Sequence, residues 1–131
     1  KTADKRVAIA GKIIERAEKL GIPRQDVMID TLAMAIAADS KAGIPVLEAI
    51  RRIKAEFDVN QTLGASNISF NLPARELLNV AFLDLVIAAG VTCPIVDAAK
   101  VRPAILSVDL VLGRDNYAMR YIRAYRQRQQ A

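Results

Sequence analysis

The chain has 131 residues, 53% hydrophobic and 25% charged, with 19 Lys and Arg against 14 Asp and Glu for a net charge of +5. That length and balance suit one folded domain with a real core and exclude a disordered or low-complexity chain. With no histidine and a single cysteine, Cys93, an internal disulfide, a zinc site and histidine-dependent catalysis are excluded within the chain. No apolar run reaches the roughly 18–20 residues that span a bilayer, and the opening Lys-Thr-Ala-Asp-Lys-Arg lacks the apolar stretch of a signal peptide. The expectation is a cytoplasmic protein with no membrane partner. Arg114, Arg120, Arg123, Arg126 and Arg128 crowd the C-terminal end against Asp115 alone. No zinc-finger spacing or aromatic RNA-binding motif accompanies them, so they read as the solvated face of a terminal helix, and nucleic acid is not an expected partner.

Along the chain, Val7, Ala10, Ile13, Ile14, Ala17 and Leu20 recur at helical spacing between Lys12, Glu15, Arg16 and Lys19, which predicts an amphipathic helix over 2–20, stopped by Gly21. Val27-Met28-Ile29, bounded by Asp26 and Asp30, reads as a buried strand. A second helix carries Val46, Leu47, Ile50, Ile53 and Phe57 on one face. A second strand is expected from Gln61 through Ser66. Pro73 suits a first helical turn, and Leu77 to Ala89, ending at Gly90, supply the broadest apolar stripe of the sequence. Thr92 to Asp97 is expected as a third strand despite Pro94, which removes a ladder donor. A long helical region follows, with a break at Gly113 and Tyr117, Tyr121 and Tyr125 at four-residue spacing, expected to pack on a neighbouring helix.

Strands recurring every 30–35 residues between helices imply parallel βα units. Three such strands cannot close a barrel of eight, so other chain material completes the sheet or two copies pair through open edges. A doubly wound open sheet usually carries a glycine-rich phosphate loop after its first strand, and none is present. The apolar runs end in Asp30, Asn67 and Asp97, at the carboxyl ends of strands, where α/β proteins place their sites. Taken singly, each suits a turn or cap equally well.

The segment Gly64-Ala65-Ser66-Asn67-Ile68-Ser69-Phe70-Asn71-Leu72-Pro73-Ala74-Arg75, with Leu78-Asn79, Phe82-Leu83, Met28-Ile29-Asp30 and the ending Leu112-Gly113-Arg114-Asp115, resembles the pterin-binding methyltransferases that pass a methyl group from methyltetrahydrofolate to a corrinoid cobalt; dihydropteroate synthase is a more distant relative. The resemblance implies an α/β fold, the C-terminal half of a TIM (β/α)8 barrel in the order α-β-α-β-α-β-α, with residues 1–131 forming one partial domain. It places Asp30 against the amino group and ring N–H of a pterin, which match two acceptor oxygens. Asn67 falls beside N5, where an amide can donate or accept as the leaving nitrogen gains positive character. Arg75 comes near the ring, and Ser66, Phe70 and Asp97 are weaker contacts.

Thr31, Ala65 and Ala98 stand where the family commonly has Pro, Leu and Pro. The implied partners are a corrinoid (cobalamin) protein and either a missing N-terminal barrel half or a second copy. The chain alone is expected to bind folate weakly or not at all, with a non-catalytic half-barrel and a dihydropteroate synthase-like activity as the alternatives.

Overall fold

The computed structural model describes residues 2–130. The chain divides into two compact units, residues 1–95 and 96–131. Among the described residues no helix is long and apolar enough to cross a membrane.

In the first unit, helix α1 spans Ala3–Lys19. The Thr2 hydroxyl caps it by accepting from the Lys5 N–H at 3.4 Å, and Gly21, at φ +82°, turns the chain away after it. Strand β1 is Met28–Asp30, helix α2 Gly43–Phe57 and strand β2 Asn60–Thr62. The strands pair in parallel with Met28 opposite Asn60, Ile29 opposite Gln61 and Asp30 opposite Thr62. Alternation along a strand sends Ile29 and Gln61 into the helical layer and leaves Met28, Asp30 and Asn60 exposed on the other face. Val7, Ala10 and Ile14 of α1 and Ala49 and Ile53 of α2 close over Val27, Ile29 and Val59. Each fully buried isoleucine there contributes about 1.5–3 kcal/mol.

Gln61 ties three elements together from inside this core. It is fully buried, its Nε2 donates to the Ile50 carbonyl of α2 at 3.0 Å, and its backbone N–H donates to the Thr92 hydroxyl at 3.2 Å. Its carbonyl accepts the Thr92 and Cys93 N–H groups at 3.1 and 3.0 Å. The expected third strand shrinks to one parallel bridge, Gly64 to Ile95, with the Ile95 N–H on the Leu63 carbonyl at 2.9 Å. Pro94 brings no N–H, and two consecutive donors converge on a single carbonyl instead of advancing along a ladder. The second strand is likewise shorter than expected: residues 65–69 turn into a 3-10 helix.

Helix α3 spans Arg75–Ala89 and buries Phe82, Leu83, Val86 and Ile87. It starts later than the sequence suggests, because Ala74 takes up a left-handed conformation (φ +49°) at the N-cap, so Pro73 lies outside the helix. Asp84 lies on α3 with a buried Oδ1 that has no hydrogen-bond partner, and burial raises its pKa. A carboxylate with a raised folded-state pKa destabilises the fold where it is ionised, and that penalty fades as pH falls and is gone below the ordinary value of about 3.9.

In the second unit, helix α4 is Ala98–Val111 and helix α5 is Met119–Gln129, with Gly113 at φ +71° in the break between them. Asp115 organises the restart. Its Oδ1 accepts the Arg120 N–H at 3.0 Å and its Oδ2 the Tyr121 N–H at 2.9 Å, while Arg120 also reaches Asp109 at 3.2 Å. The Arg120 N–H above all, with the Tyr121 N–H and the Arg120 guanidinium, lowers the Asp115 pKa against the opposing effect of burial. The tyrosine stripe does not form as expected. Tyr117 sits in the turn at φ +56°, almost wholly exposed, and Tyr125 is exposed, because the break changes the helical phase between them.

Two outcomes follow from these carboxylates. Replacing Asp84 by Asn should raise the thermal midpoint at pH 7, and the gain should disappear below about pH 4. Asp115→Ala should reduce helicity by circular dichroism at pH 7. The wild-type advantage should be complete above about pH 4 and lost as pH falls through the lowered Asp115 pKa.

Candidate functional site

The carboxyl ends of β1 and β2 and the loop from Gly64 to Arg75 hold most of the residues singled out in the sequence. Asp30 ends β1 on its exposed face, level with Thr62 on β2. The chain then turns sharply: Leu32 is left-handed at φ +59°, and its N–H donates to Asp30 Oδ1 at 2.8 Å. That bond fixes the carboxylate, whose oxygens retain lone pairs for a further donor. Arg6 of α1 secures the same turn through the carbonyls of Thr31 and of Leu32, the latter at 2.9 Å. Thr31 is buried, with a hydroxyl that has no hydrogen-bond partner. Arg6 thus holds the turn that follows Asp30.

Beyond β2, residues 65–69 wind into their 3-10 turn with the Asn67 N–H on the Gly64 carbonyl at 3.2 Å and the Phe70 N–H on the Asn67 carbonyl at 3.3 Å. Ala65, Ile68 and Ser69 are buried; Ser66, Asn67 and Phe70 face solvent. The two strand ends are joined by the Ile36 N–H, which donates to the Ile68 carbonyl at 3.0 Å. Arg75, in the first turn of α3, folds back over this turn: its Nη2 donates to the Ser66 carbonyl at 3.1 Å, its Nε to the Ser69 hydroxyl at 3.1 Å, and its guanidinium carbon stands 5.9 Å from the Phe70 ring centroid. Ser66, Asn67, Phe70 and Arg75 thus form one exposed, locally held surface.

Asp97 belongs to the second unit, at the N-cap of α4. Its carbonyl accepts the Lys100 and Val101 N–H groups, each at 3.1 Å, and its carboxylate stands 3.9 Å from Lys100 Nζ. Asp97 thus holds the N-cap position through its backbone alone, with no side-chain capping hydrogen bond.

Three residues of the site escape sequence reasoning. Ser69, wholly buried, donates to Asn79 Oδ1 at 2.7 Å while accepting from Arg75. A spacing of serine, arginine and asparagine six and ten residues apart has no recognisable period. Gly64 is the third. At φ −76° it needs no glycine for its backbone, yet a Cβ there would stand 3.0 Å from Asn67 Nδ2. Its role is to leave room for the Asn67 amide.

Comparison with known proteins places the chain. Residues 1–97 match the model of the pterin binding enzyme family, and the chain belongs to that family. It is similar to the methylcorrinoid:tetrahydrofolate methyltransferase of Eubacterium limosum, 31% identical over 129 residues that make up 96% of this chain and 48% of that protein. It is also similar to the methionine synthases of Mycobacterium tuberculosis and Mycobacterium leprae, 40% and 37% identical over 111 residues, 79% of this chain and 9% of each of those proteins. The chain therefore spans about half the length of the first of these relatives and a small part of the other two.

Gly64→Ala should leave the fold intact, with a stability change within about 1 kcal/mol. In nitrogen-15 spectra it should move the Asn67 side-chain amide while leaving that of Asn79 in place.

Proposed function

We propose that residues 1–131 are the C-terminal portion of a pterin-binding (β/α)8 barrel that moves a methyl group between methyltetrahydrofolate and the cobalt of a corrinoid protein, with transfer from N5 of the folate to cobalt as the reaction. The observation that carries this reading is the exposed surface of Ser66, Asn67, Phe70 and Arg75, held in place beside the Asp30 strand end. Its chemistry fits a pterin. Asp30 offers acceptor oxygens to adjacent N–H donors, the guanidinium over Phe70 offers a flat cationic face to a ring or a carbonyl oxygen, and the Asn67 amide can hydrogen-bond N5 without titrating.

The reduced corrinoid would supply the nucleophile that takes the methyl carbon. The corrinoid would be carried by a partner protein or domain. The role of Asn67 is to stabilise N5 as its bond to carbon breaks and N5 takes up a proton from water in place of the methyl group, a stabilisation stronger in the transition state than in the bound substrate. The relative whose name pairs a methylcorrinoid with tetrahydrofolate fits the same site, because one transition state serves both directions.

The half-barrel reading rests on the uncovered side of β1. The Thr31 N–H donates to the Thr62 carbonyl, so alternation turns the backbone N–H and C=O of Met28 and Asp30 away from β2. A cavity of about 240 Å³ opens along that edge, lined by Ile9, Ile13, Met28 and Leu32, all exposed. Unpaired strand groups beside exposed apolar side chains suit a further parallel strand. We assign this edge to the N-terminal half of the barrel, whether joined to this chain or separate, in preference to a second copy. The non-catalytic half-barrel is the state of the chain without that half.

Fusing the N-terminal half of the Eubacterium limosum relative to this chain tests the reading. The fusion should bind methyltetrahydrofolate and transfer methyl to a reduced corrinoid, whereas the chain alone should do neither. Asn67→Ala should lower kcat about a hundredfold with little change in KM, and Asp30→Ala should weaken folate binding about tenfold or more. A fusion that folds and binds no folate overturns the assignment; a fusion that binds a pterin precursor and transfers no methyl favours the dihydropteroate synthase branch.

A further inference from the structure

Arg75 is exposed, yet two of its three guanidinium nitrogens are engaged by its own chain. An exposed arginine ordinarily samples many rotamers, so something must hold this one. The holding group is Ser69, a hydroxyl with no solvent exposure. A hydroxyl has one proton to donate and two lone pairs with which to accept. The Asn79 Oδ1 lies 2.7 Å from it and the Ser66 carbonyl 3.2 Å, so the proton goes to the nearer acceptor, Asn79. A lone pair is thereby left facing Arg75 Nε at 3.1 Å, and a guanidinium can only donate. The direction of every bond in the chain from Asn79 through Ser69 and Arg75 to the Ser66 carbonyl is consequently fixed.

We infer that Ser69 and Asn79 are positioning residues that hold the Arg75 guanidinium over Phe70 and against the Ser66 carbonyl before any ligand arrives. The inference deepens the pterin reading and rests on it for its functional consequence: a cationic face already ordered in the free protein loses less freedom when a heterocycle docks on it. Ser69 and Asn79 touch no ligand in this scheme and act through Arg75 alone. The lock also spans the 3-10 turn, because it ends on Ser66, the residue before Asn67. One buried hydroxyl thus governs both the ring-binding face and the start of the segment that presents the Asn67 amide.

The test uses the 131-residue chain itself, labelled with nitrogen-15, with the Arg75 Nε–H resonance assigned from its loss in Arg75→Lys. In the wild type that proton should exchange with water about tenfold or more slowly than those of Arg123 and Arg126. Ser69→Ala should abolish the difference, Ser69→Thr should restore it, and Asn79→Ala should give an intermediate rate, since the hydroxyl can turn to the Ser66 carbonyl and still accept. A wild-type Arg75 proton that exchanges as fast as those of Arg123 and Arg126 overturns the inference, and this comparison stands even where Ser69→Ala fails to fold. So does a Ser69→Ala protein that folds and keeps the slow exchange. In the barrel fusion, Ser69→Ala and Arg75→Ala should weaken methyltetrahydrofolate binding by similar factors, and the double variant by no more than either. Slow exchange that depends on Ser69, together with an affinity indifferent to Arg75→Ala, would support the positioning and count against the pterin role of Arg75.

Discussion

The parallel pairing of β1 with β2 is the constraint on which the rest of the first unit depends. Three residues of each strand are enough to set it, because Ile29 and Gln61 must both enter the layer beneath α1 and α2. A slip of one residue would drive Met28 and Asp30 into the core and turn Ile29 out. Once Ile29 lies opposite Gln61, Asp30 ends its strand level with Thr62, and the loop that follows begins at the same end of the sheet. The polar residues on that loop and the aspartate therefore share one end of the sheet as a consequence of core packing. Gln61 reinforces the arrangement: its side chain bonds α2 while its backbone bonds Thr92 and Cys93.

Around that frame the site is held by backbone turns and polar contacts rather than by apolar packing. Leu32, Asn71 and Ala74 all carry positive φ, conformations that non-glycine residues adopt at some energetic cost. They mark the places where the chain leaves β1 and approaches α3. Their neighbours compensate: Asp30 accepts the Leu32 N–H, Arg6 covers two carbonyls of the same turn, and the Arg75 to Ser69 network closes the turn before α3. Backbone strain beside preformed hydrogen bonds is a common property of binding loops, where a defined geometry matters more than local stability. Membership of the pterin-binding family is consistent with a site of this kind, because a flat, edge-polar heterocycle is best recognised by groups that are already aimed.

The second unit follows a different logic. Its helices bury little, and its order comes from charge: Asp115 caps α5 with both oxygens, and Asp109 gathers Arg114 and Arg120. Two of the five C-terminal arginines are thus engaged in folding this segment. The excess positive charge read from the sequence is accordingly smaller in effect than its count.

How much of this was legible in the sequence divides along physical lines. The periodicity of apolar residues determined α1, α2 and α3, and the short apolar run at Val27–Ile29 located the first strand to within one residue of its place at Met28–Asp30, since such patterns depend only on neighbours along the chain. The residues on the Gly64–Arg75 loop were recognisable for the same reason, as one contiguous motif. What the tertiary structure alone decided are the features set by groups distant in sequence. The third strand reduced to the bridge at Ile95, because Gln61 draws two donors onto one carbonyl. The helix after Pro73 began only at Arg75, because Ala74 turns left-handed ahead of it. Gly64, expected inside the second strand, proved to be space for Asn67, and Arg6 proved to hold the Asp30 turn across 25 residues. Ser69 joined the site because a buried hydroxyl must satisfy its hydrogen bonds wherever packing places it, and a linear pattern of residues does not record where that is.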